Sequence, residues 1–234
     1  MILIKCLGHS GFSVESSTHF LIFDYSEGDL PNVPKGKKTY VFVSHSHYDH
    51  FNENIFSLSD GDENIRYILS YDIERKIRSE KARDCNLVFV SPEEELKLDG
   101  KLKARVLRST DCGCAFLVNL DGRNIFHAGD LHLWLWDGMS ENEQFFMIKT
   151  FREYTKELKN FKIDTAFLPL DNRQEMYSFL GISYYMNSFR ISHAIPMHFF
   201  GPSDIVDRLK AAPVSKSFRD KLIKMEKGDE ISLI

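Results

Sequence analysis

A short apolar run that leads directly into a histidine-rich segment restricts the fold of this chain more than any other feature. The run YVFV has the branched and aromatic composition of a buried strand, and residues 45–50 behind it read HSHYDH. His45 and His47 are two residues apart in extended backbone and therefore point to the same side. Asp49 and His50 follow in the next turn. Four ligand-type side chains thus converge at the C-terminal end of a strand, where α/β folds usually place their sites.

The composition of this segment predicts a metal site. The chain has nine histidines, and three of them lie within these six positions. Imidazole and carboxylate groups are ligands that divalent zinc, iron and manganese accept. A polar loop that holds three histidines by chance is the weaker explanation, because the spacing and the preceding strand both fit a metal motif.

Strand-like and helix-like segments alternate along the whole chain, and the helices are concentrated in its second half. No stretch has the length and the Gly/Ser-rich composition of an interdomain linker, which predicts a single α/β domain over residues 1–234. Strands are predicted at residues 1–6, 19–23, 40–43, 66–70, 87–90, 103–109, 114–120, 123–127, 164–170, 194–199 and 230–234. Helices are predicted near residues 51–58, 72–83, 174–190 and 204–211, and behind a capping-box pattern formed by Ser140 and Glu143.

Charge and hydropathy exclude several classes of partner. The formal net charge is −4 and the pI is about 6.1, which argues against a nucleic-acid partner. The sequence has no apolar run near the roughly 18 residues that a membrane span needs, and its N-terminus does not resemble a secretory signal. The four cysteines show no paired spacing beyond one CxC. A cytoplasmic protein with reduced thiols and no membrane partner is expected.

Three segments, taken together, resemble a known family. HSHYDH resembles the HxHxDH signature of the metallo-β-lactamase superfamily, a group of binuclear metallohydrolases with an αββα sandwich of two mixed sheets flanked by helices. IFHAGD (125–130) is similar to the strand that ends in a metal-bridging aspartate, and IPMHF (195–199) to the strand that delivers the last histidine. LGHSGFSVE (7–15) and the strand into Asp24 look like the opening hairpin of the ascorbate-6-phosphate lactonase-like subgroup.

This resemblance implies a pair of divalent metal ions, zinc first and manganese or iron as alternatives. The implied catalytic residue is Asp49, which would orient a metal-activated hydroxide while it binds metal. In the implied ligand set, His45 and His47 bind the first metal, Asp49 and His50 bind the second, Asp130 bridges both, and His198 completes the second site.

The sequence departs from the family pattern at one ligand. The family usually supplies a third histidine to the first metal, but no histidine lies between His50 and His127. The matching stretch is RSTDCGC, residues 108–114. Asp111 is the first candidate substitute because it offers an oxygen ligand, and Cys112 is the second because a thiolate binds zinc well. The third alternative is that nothing replaces the histidine.

Other residues are candidates for substrate contacts. His132 and Trp134 follow the implied bridging aspartate with a spacing of two, so they either wall a substrate pocket or belong to the core. Asp171 and Arg173 come after the strand FLPL, and Arg173 either clamps a phosphate or carboxylate or forms a salt bridge with Asp171. His9, in a glycine-flanked turn, either reaches the site or is structural.

The function implied by the resemblance is metal-dependent hydrolysis of a small phosphoester, lactone or similar ester. A non-catalytic metal-binding or sensor protein is the main alternative, since the third histidine is missing. An RNA-processing nuclease of the superfamily is disfavoured by the acidic charge of the chain. A small-molecule substrate is therefore the expected partner, and association into a homo-oligomer is left open.

Overall fold

The computed structural model describes residues 1–59 and 64–233, which form two compact units. The first unit comprises Met1–Ser91 and Met225–Ile234, and the second comprises Pro92–Lys224. Each unit contains one mixed β-sheet. The prediction that residues 1–234 form a single domain stays a prediction.

Most strands and the three α-helices lie close to predicted segments, whereas the helix predicted near residues 51–58 is a 3₁₀ helix, Glu53–Leu58. In chain order the strands are β1 (Ile2–Gly8), β2 (Gly11–Glu15), β3 (His19–Phe23), β4 (Lys38–Val43), β5 (Ile65–Ser70), β6 (Asn86–Val90), β7 (Glu95–Lys97), β8 (Leu102–Arg108), β9 (Cys114–Leu120), β10 (Arg123–His127), β11 (Lys162–Pro169), β12 (Arg190–Met197) and β13 (Glu230–Leu233). The α-helices are α1 (Glu141–Thr155), α2 (Ser178–Ser188) and α3 (Ile205–Ala211). Residue 234, which was predicted to end the last strand, lies outside the described residues.

In the sheet of the first unit, β4 is an interior strand between β3 and β5. The strand order is β13-β1-β2-β3-β4-β5-β6, and β3, β4, β5 and β6 pair in parallel. Tyr40, Val41, Phe42 and Val43 of β4 are all buried. A strand covered on both faces is apolar at every position, which is why this run shows no alternation. The parallel arrangement places the histidine-rich segment directly after the C-terminal end of β4.

The sheet of the second unit brings three further strand ends to one edge. Its order is β12-β11-β10-β9-β8-β7, in which β10, β11 and β12 pair in parallel. The β9–β10 hairpin turns at Asp121 and Gly122, both at positive φ, as the Asp-Gly pair predicted. Asp130, Asp171 and His198 follow the C-terminal ends of β10, β11 and β12. The polar side chains after these strands therefore meet at one edge of the sheet.

Helix α1 begins at the predicted capping box. The Ser140 hydroxyl oxygen accepts a hydrogen bond from the Glu143 N–H at 3.3 Å, and the Glu143 carboxylate accepts one from the Ser140 N–H at 2.8 Å. Among the described residues, no helix has both the length and the apolar character that crossing a bilayer requires.

The helix predicted at residues 72–83 is wrong, because this segment forms two short 3₁₀ turns, Tyr71–Ile73 and Glu80–Asp84. Between these turns the N–H groups of Arg78 and Ser79 donate to the Glu53 carboxylate. Backbone donors engaged in this way cannot make the i→i−4 bonds of an α-helix.

Gly181 in α2 offers a test of how tightly the second unit is packed. A Cβ atom there would lie 2.2 Å from Cε1 of the buried His132 ring. We expect Gly181→Ala to lower the free energy of unfolding by about 1–3 kcal/mol, although alanine has the better helix propensity. Urea denaturation should show a lower midpoint for this variant than for Gly100→Ala, where an added Cβ meets no atom within 4 Å. Equal midpoints would mean that the His132 ring moves aside freely.

Candidate metal centre

Asp24, the residue after β3, organises the histidine-rich segment of the first unit. Its side chain is fully buried and its backbone has a φ of 41°. The carboxylate accepts hydrogen bonds from the Ser44 N–H at 2.7 Å, from the Ser44 hydroxyl at 2.6 Å and from His50 Nδ1 at 2.7 Å. One aspartate therefore fixes both the start of the segment and the ring of His50.

These hydrogen bonds determine which ring nitrogen of each histidine carries the proton. The Ser44 hydroxyl donates to Asp24, so its oxygen accepts from His45 Nδ1 at 3.0 Å. His50 Nδ1 likewise donates to the carboxylate. Assigned from this network, both rings are protonated at Nδ1 and keep a lone pair on Nε2. A neutral imidazole held in this way has the form that binds a metal ion.

His45 and His47 meet as their spacing predicts. His45 Nε2 lies 3.0 Å from His47 Nδ1, and the ring centroids are 4.6 Å apart. His45 is buried, whereas His47 is exposed. The pairing is confirmed, and the metal-binding role of the two histidines stays a prediction.

Asp49 and His50 form a second cluster in the same unit, together with His9. Asp49 Oδ2 lies 3.4 Å from His9 Nε2 and 3.7 Å from His50 Nε2. One ligand atom from each residue lies within 4.8 Å of the others. His9 has a φ of 37° and follows Gly8 at 124°, so the tight β1–β2 turn aims its ring at Asp49. The sequence left the role of His9 open, and the structure places it in the cluster.

In the second unit, His198 lies between two carboxylates. Its Nε2 is 3.3 Å from Asp130 Oδ1, and its Nδ1 is 3.3 Å from Asp171 Oδ2. All three side chains are nearly or fully buried, and His198 has a φ of 64°, a strained value for a residue with a Cβ. Asp171 therefore contacts the ring at Nδ1 and orients it so that Nε2 faces Asp130.

Asp171 was predicted to contact substrate, but it is fully buried and pairs with His198 and Arg173 instead. Burial alone would raise the pKa of its carboxyl. Hydrogen bonds from His198 and Arg173 outweigh that effect, and the pKa lies below the ordinary value. Asp171 is therefore a carboxylate that positions other groups.

Arg173 forms the salt bridge that was the alternative to an anion clamp. Its Nε and Nη2 donate to the Asp171 carboxylate, at 3.0 Å and 2.6 Å. Its guanidinium carbon also lies 3.6 Å from the centroid of Phe200 and 5.8 Å from that of Trp136. The side chain is 47% exposed, so one part of the guanidinium is fixed while another part meets solvent.

His132 and Trp134 are interior residues, which is the core alternative of the two that the sequence left open, and not the substrate-pocket one. His132 is fully buried and its Nε2 lies 2.8 Å from the Gln174 side-chain oxygen; burial chiefly lowers its pKa to about 4. Trp134 is 8% exposed, donates to the Asp130 carbonyl at 3.0 Å and lies 5.6 Å from the His198 ring. Through these contacts both rings hold the segment that begins at Asp130 in position.

The candidates for the missing ligand lie just after β8. Asp111 and Cys112 are both exposed, and their ligand atoms lie within 4.8 Å of each other. The Asp111 N–H donates to the Ser109 hydroxyl at 3.2 Å, while the next residue toward the N-terminus, Thr110, donates to the His132 carbonyl at 2.6 Å. The hydrogen bond of Thr110 fixes the segment, and the exposed side chains of Asp111 and Cys112 are accessible to a metal ion.

The donor set fits a divalent metal. The clusters of each unit offer imidazole nitrogens and carboxylate oxygens, which suit zinc, iron and manganese. His50 and His198 each have a carboxylate behind Nδ1, an arrangement that is common for metal-binding histidines.

Comparison with known proteins identifies relatives of this chain. It is 30% identical over 143 residues to a UPF0173 metal-dependent hydrolase of Thermococcus kodakarensis, an alignment that spans 56% of this chain and 62% of that relative. It is 28% identical over 207 residues to a metal-dependent hydrolase of Korarchaeum cryptofilum, which covers 85% of this chain and 83% of that one. The chain thus spans less than two thirds of the Thermococcus relative.

A solved structure and a family model establish the fold and the family. A metallo hydrolase of Ignicoccus hospitalis superposes with a TM-score of 0.67 at 17% identity, covering 98% of this chain and 97% of that one. The predicted metallo-β-lactamase fold, with two mixed β-sheets flanked by helices, is thereby confirmed. Residues 3–144, more than half of the chain, match the model of the Beta-lactamase superfamily domain. The chain therefore belongs to the beta-lactamase superfamily.

Proposed function

We propose that this protein is a metal-dependent hydrolase. The observation that carries the proposal is the orientation of the histidines by buried carboxylates. Asp24 holds His50 and Asp171 holds His198, in each case through Nδ1, which leaves Nε2 on the side of the ring away from that carboxylate. Burying a carboxylate is unfavourable. Two buried carboxylates that each orient an imidazole are explained if the free ring nitrogen of each histidine binds a metal ion.

The proposed centre is binuclear, as the HxHxDH family pattern implies. Asp130 would be a ligand of both metals, and His9, beside Asp49, is a further candidate ligand. Zinc is the first choice of metal, with manganese or iron as alternatives. The proposed assignments are His45 and His47 to the first metal and Asp49, His50 and His198 to the second.

The catalytic role of Asp49 follows from its position. Metal ions bound by these residues would supply Lewis-acid polarisation and a lowered pKa for the attacking water. The Asp49 carboxylate, whose oxygen lies 3.4 Å from His9 Nε2, would orient the attacking water and accept its proton. His9 in turn limits the rotation of Asp49.

The substrate proposed is a small phosphoester, lactone or similar ester, as in the lactonase-like subgroup. Arg173 supports an anionic substrate, since its guanidinium is packed against Phe200 and Trp136 and is half exposed. A cation held between aromatic rings and a carboxylate keeps its position when a substrate anion arrives, so little conformational entropy is lost on binding. A small-molecule partner in a cytoplasmic protein is part of this proposal.

The competing function is a non-catalytic metal-binding protein. It is favoured by the absence of the third family histidine, since Asp111 and Cys112, the residues available in its place, are both exposed. Such a protein would bind metal with the same affinity and hydrolyse no ester.

Elemental analysis of the purified protein and its Asp111→Ala and Cys112→Ala variants tests these functions. We expect about two metal equivalents in the wild type and in Cys112→Ala, and about one in Asp111→Ala, because a carboxylate supplies the missing ligand. Hydrolysis of phosphodiesters and lactones is then measured on the metal-loaded protein. One equivalent in all three proteins would contradict the binuclear centre, and metal binding without hydrolysis of any ester would favour the non-catalytic function.

A further inference from the structure

Helices α1 and α2 border a cavity of about 350 Å³ in the second unit. This volume is in the lower part of the range for small-molecule sites, and most of the lining is apolar. The apolar walls are formed by Leu133, Leu135, Ile148, Phe151, Leu180 and Tyr184.

The cavity faces away from the candidate metal ligands of this unit. Leu133 and Leu135 line it, while Trp134 between them contacts the His198 ring and Asp130. Neighbouring residues of this segment therefore face two different sites. A ligand in the cavity would contact the segment from the side opposite His198.

A buried hydroxyl in the cavity wall lacks a partner. Ser183 is 6% exposed, and its Oγ has no hydrogen-bond partner within the described part of the chain. Burying a hydroxyl without a hydrogen bond is unfavourable. The Oγ atom itself is enclosed, but Ser183 lines the cavity, so a rotation about its Cα–Cβ bond would present the hydroxyl to an acceptor atom of a ligand there.

Arg152 of α1 places a positive charge at the same cavity. The guanidinium carbon of Arg152 is 6.0 Å from the ring centroid of Tyr184, the neighbour of Ser183. Arg152 is exposed, and no carboxylate of residues 1–59 or 64–233 pairs with it. Its charge is thus available to a ligand at the cavity.

We propose that this cavity binds a small amphipathic carboxylate, with its hydrocarbon part between α1 and α2. The carboxylate supplies both missing partners, since it accepts a hydrogen bond from Ser183 Oγ and carries the negative charge that Arg152 attracts. A purely apolar ligand would leave Ser183 unsatisfied, and a cationic one would meet Arg152 with like charge.

Tryptophan fluorescence provides a direct assay that does not depend on activity. The chain has two tryptophans, Trp134 and Trp136, which alternate with the cavity-lining Leu133 and Leu135. The full-length protein is titrated with decanoate below its micelle concentration, and with decyltrimethylammonium, which has the same tail and the opposite charge. We expect a saturable fluorescence change with decanoate and none with the cation.

Two conservative variants locate the binding. Arg152→Gln and Ser183→Ala should each weaken decanoate binding by about three- to tenfold, the loss expected for one charge-assisted contact. Lys159→Gln removes an exposed charge that does not line the cavity, and should leave the affinity unchanged.

Three results would overturn the proposal. They are the absence of saturation with decanoate, equal binding of both probes, and unchanged affinity in both Arg152→Gln and Ser183→Ala. A dimer in solution that Leu180→Asp converts to a monomer would show instead that a second copy covers this face, where Leu180 is 42% exposed.

Discussion

Asp24→Asn is expected to lower the affinity of the protein for divalent metal by about 10- to 100-fold, the usual cost of losing the group behind a metal-binding histidine. The carboxylate accepts from the Ser44 N–H, the Ser44 hydroxyl and His50 Nδ1. An amide has only one acceptor oxygen, so its NH₂ group must face one of these donors. His50 then loses the hydrogen bond that keeps its proton on Nδ1. The Ser44 hydroxyl also no longer keeps the proton of His45 on Nδ1.

Titration against a competing chelator measures this affinity without requiring a substrate. Circular dichroism and urea denaturation show whether Asp24→Asn is folded under the conditions of the titration. Asp99→Asn is the matched control, because that carboxylate also accepts backbone hydrogen bonds, from Lys101 and Leu102, but precedes β8, at the end of that strand opposite to Asp111. Metal affinity that is the same in both variants and the wild type would show that Asp24 stabilises the fold and does not tune the metal ligands.

Ser44→Ala separates the two histidines that Asp24 controls. This variant removes the hydroxyl between Asp24 and His45 but leaves the direct contact of Asp24 with His50. We expect a smaller loss of metal affinity than in Asp24→Asn, confined to one metal equivalent. A loss as large as that of Asp24→Asn would mean that the tautomer of His45 dominates the affinity.

The fold was predictable where local sequence and burial agree. Strands β3, β9 and β10 lie at the predicted residues, and the capping box at Ser140 begins α1. The prediction failed at residues 72–83, where the carboxylate of Glu53 accepts hydrogen bonds from the backbone N–H groups of Arg78 and Ser79. Such a contact joins residues about 25 positions apart and leaves no periodic signal.

The candidate site was predictable to the extent that its chemistry is concentrated in one motif. The spacing of His45 and His47 indicated that their rings meet, which HSHYDH alone sufficed to show. The positioning role of Asp24 and Asp171 could not be predicted in this way, because each is a single aspartate after a strand. Their contacts with His50 and His198 join residues that are far apart in sequence. His9 carried a faint signal, the glycines on either side of it.

Backbone strain marks the same places. His9, Asp24 and His198 all have positive φ although each carries a Cβ. Such conformations cost roughly 1–3 kcal/mol each and persist where the surrounding structure imposes them. Glu93, Asp121, Glu175 and Phe200 also have positive φ, so such backbone accompanies the candidate clusters without being confined to them.

Asp171→Ala should cause a second large loss of metal affinity, again about 10- to 100-fold, and through a different histidine. Asp171 Oδ2 lies 3.3 Å from His198 Nδ1, and both side chains are buried. Without this carboxylate, only that of Asp130 remains to attract a ring proton, so the proton of His198 shifts from Nδ1 toward Nε2. Its Nε2, which faces Asp130 at 3.3 Å, is then protonated in part of the population and unable to bind metal.

Nitrogen NMR of histidine-labelled, metal-free protein reports the His198 tautomer directly, and chelator competition reports the affinity. Arg173→Gln is the control, because it removes the other partner of Asp171 but leaves the contact with His198. We expect Arg173→Gln to keep the metal affinity and tautomer of the wild type, while Asp171→Ala changes both. If the two variants lose affinity equally, the ion pair of Asp171 with Arg173 would be the controlling contact, and His198 would owe its orientation to its packing against Trp134 and Phe200.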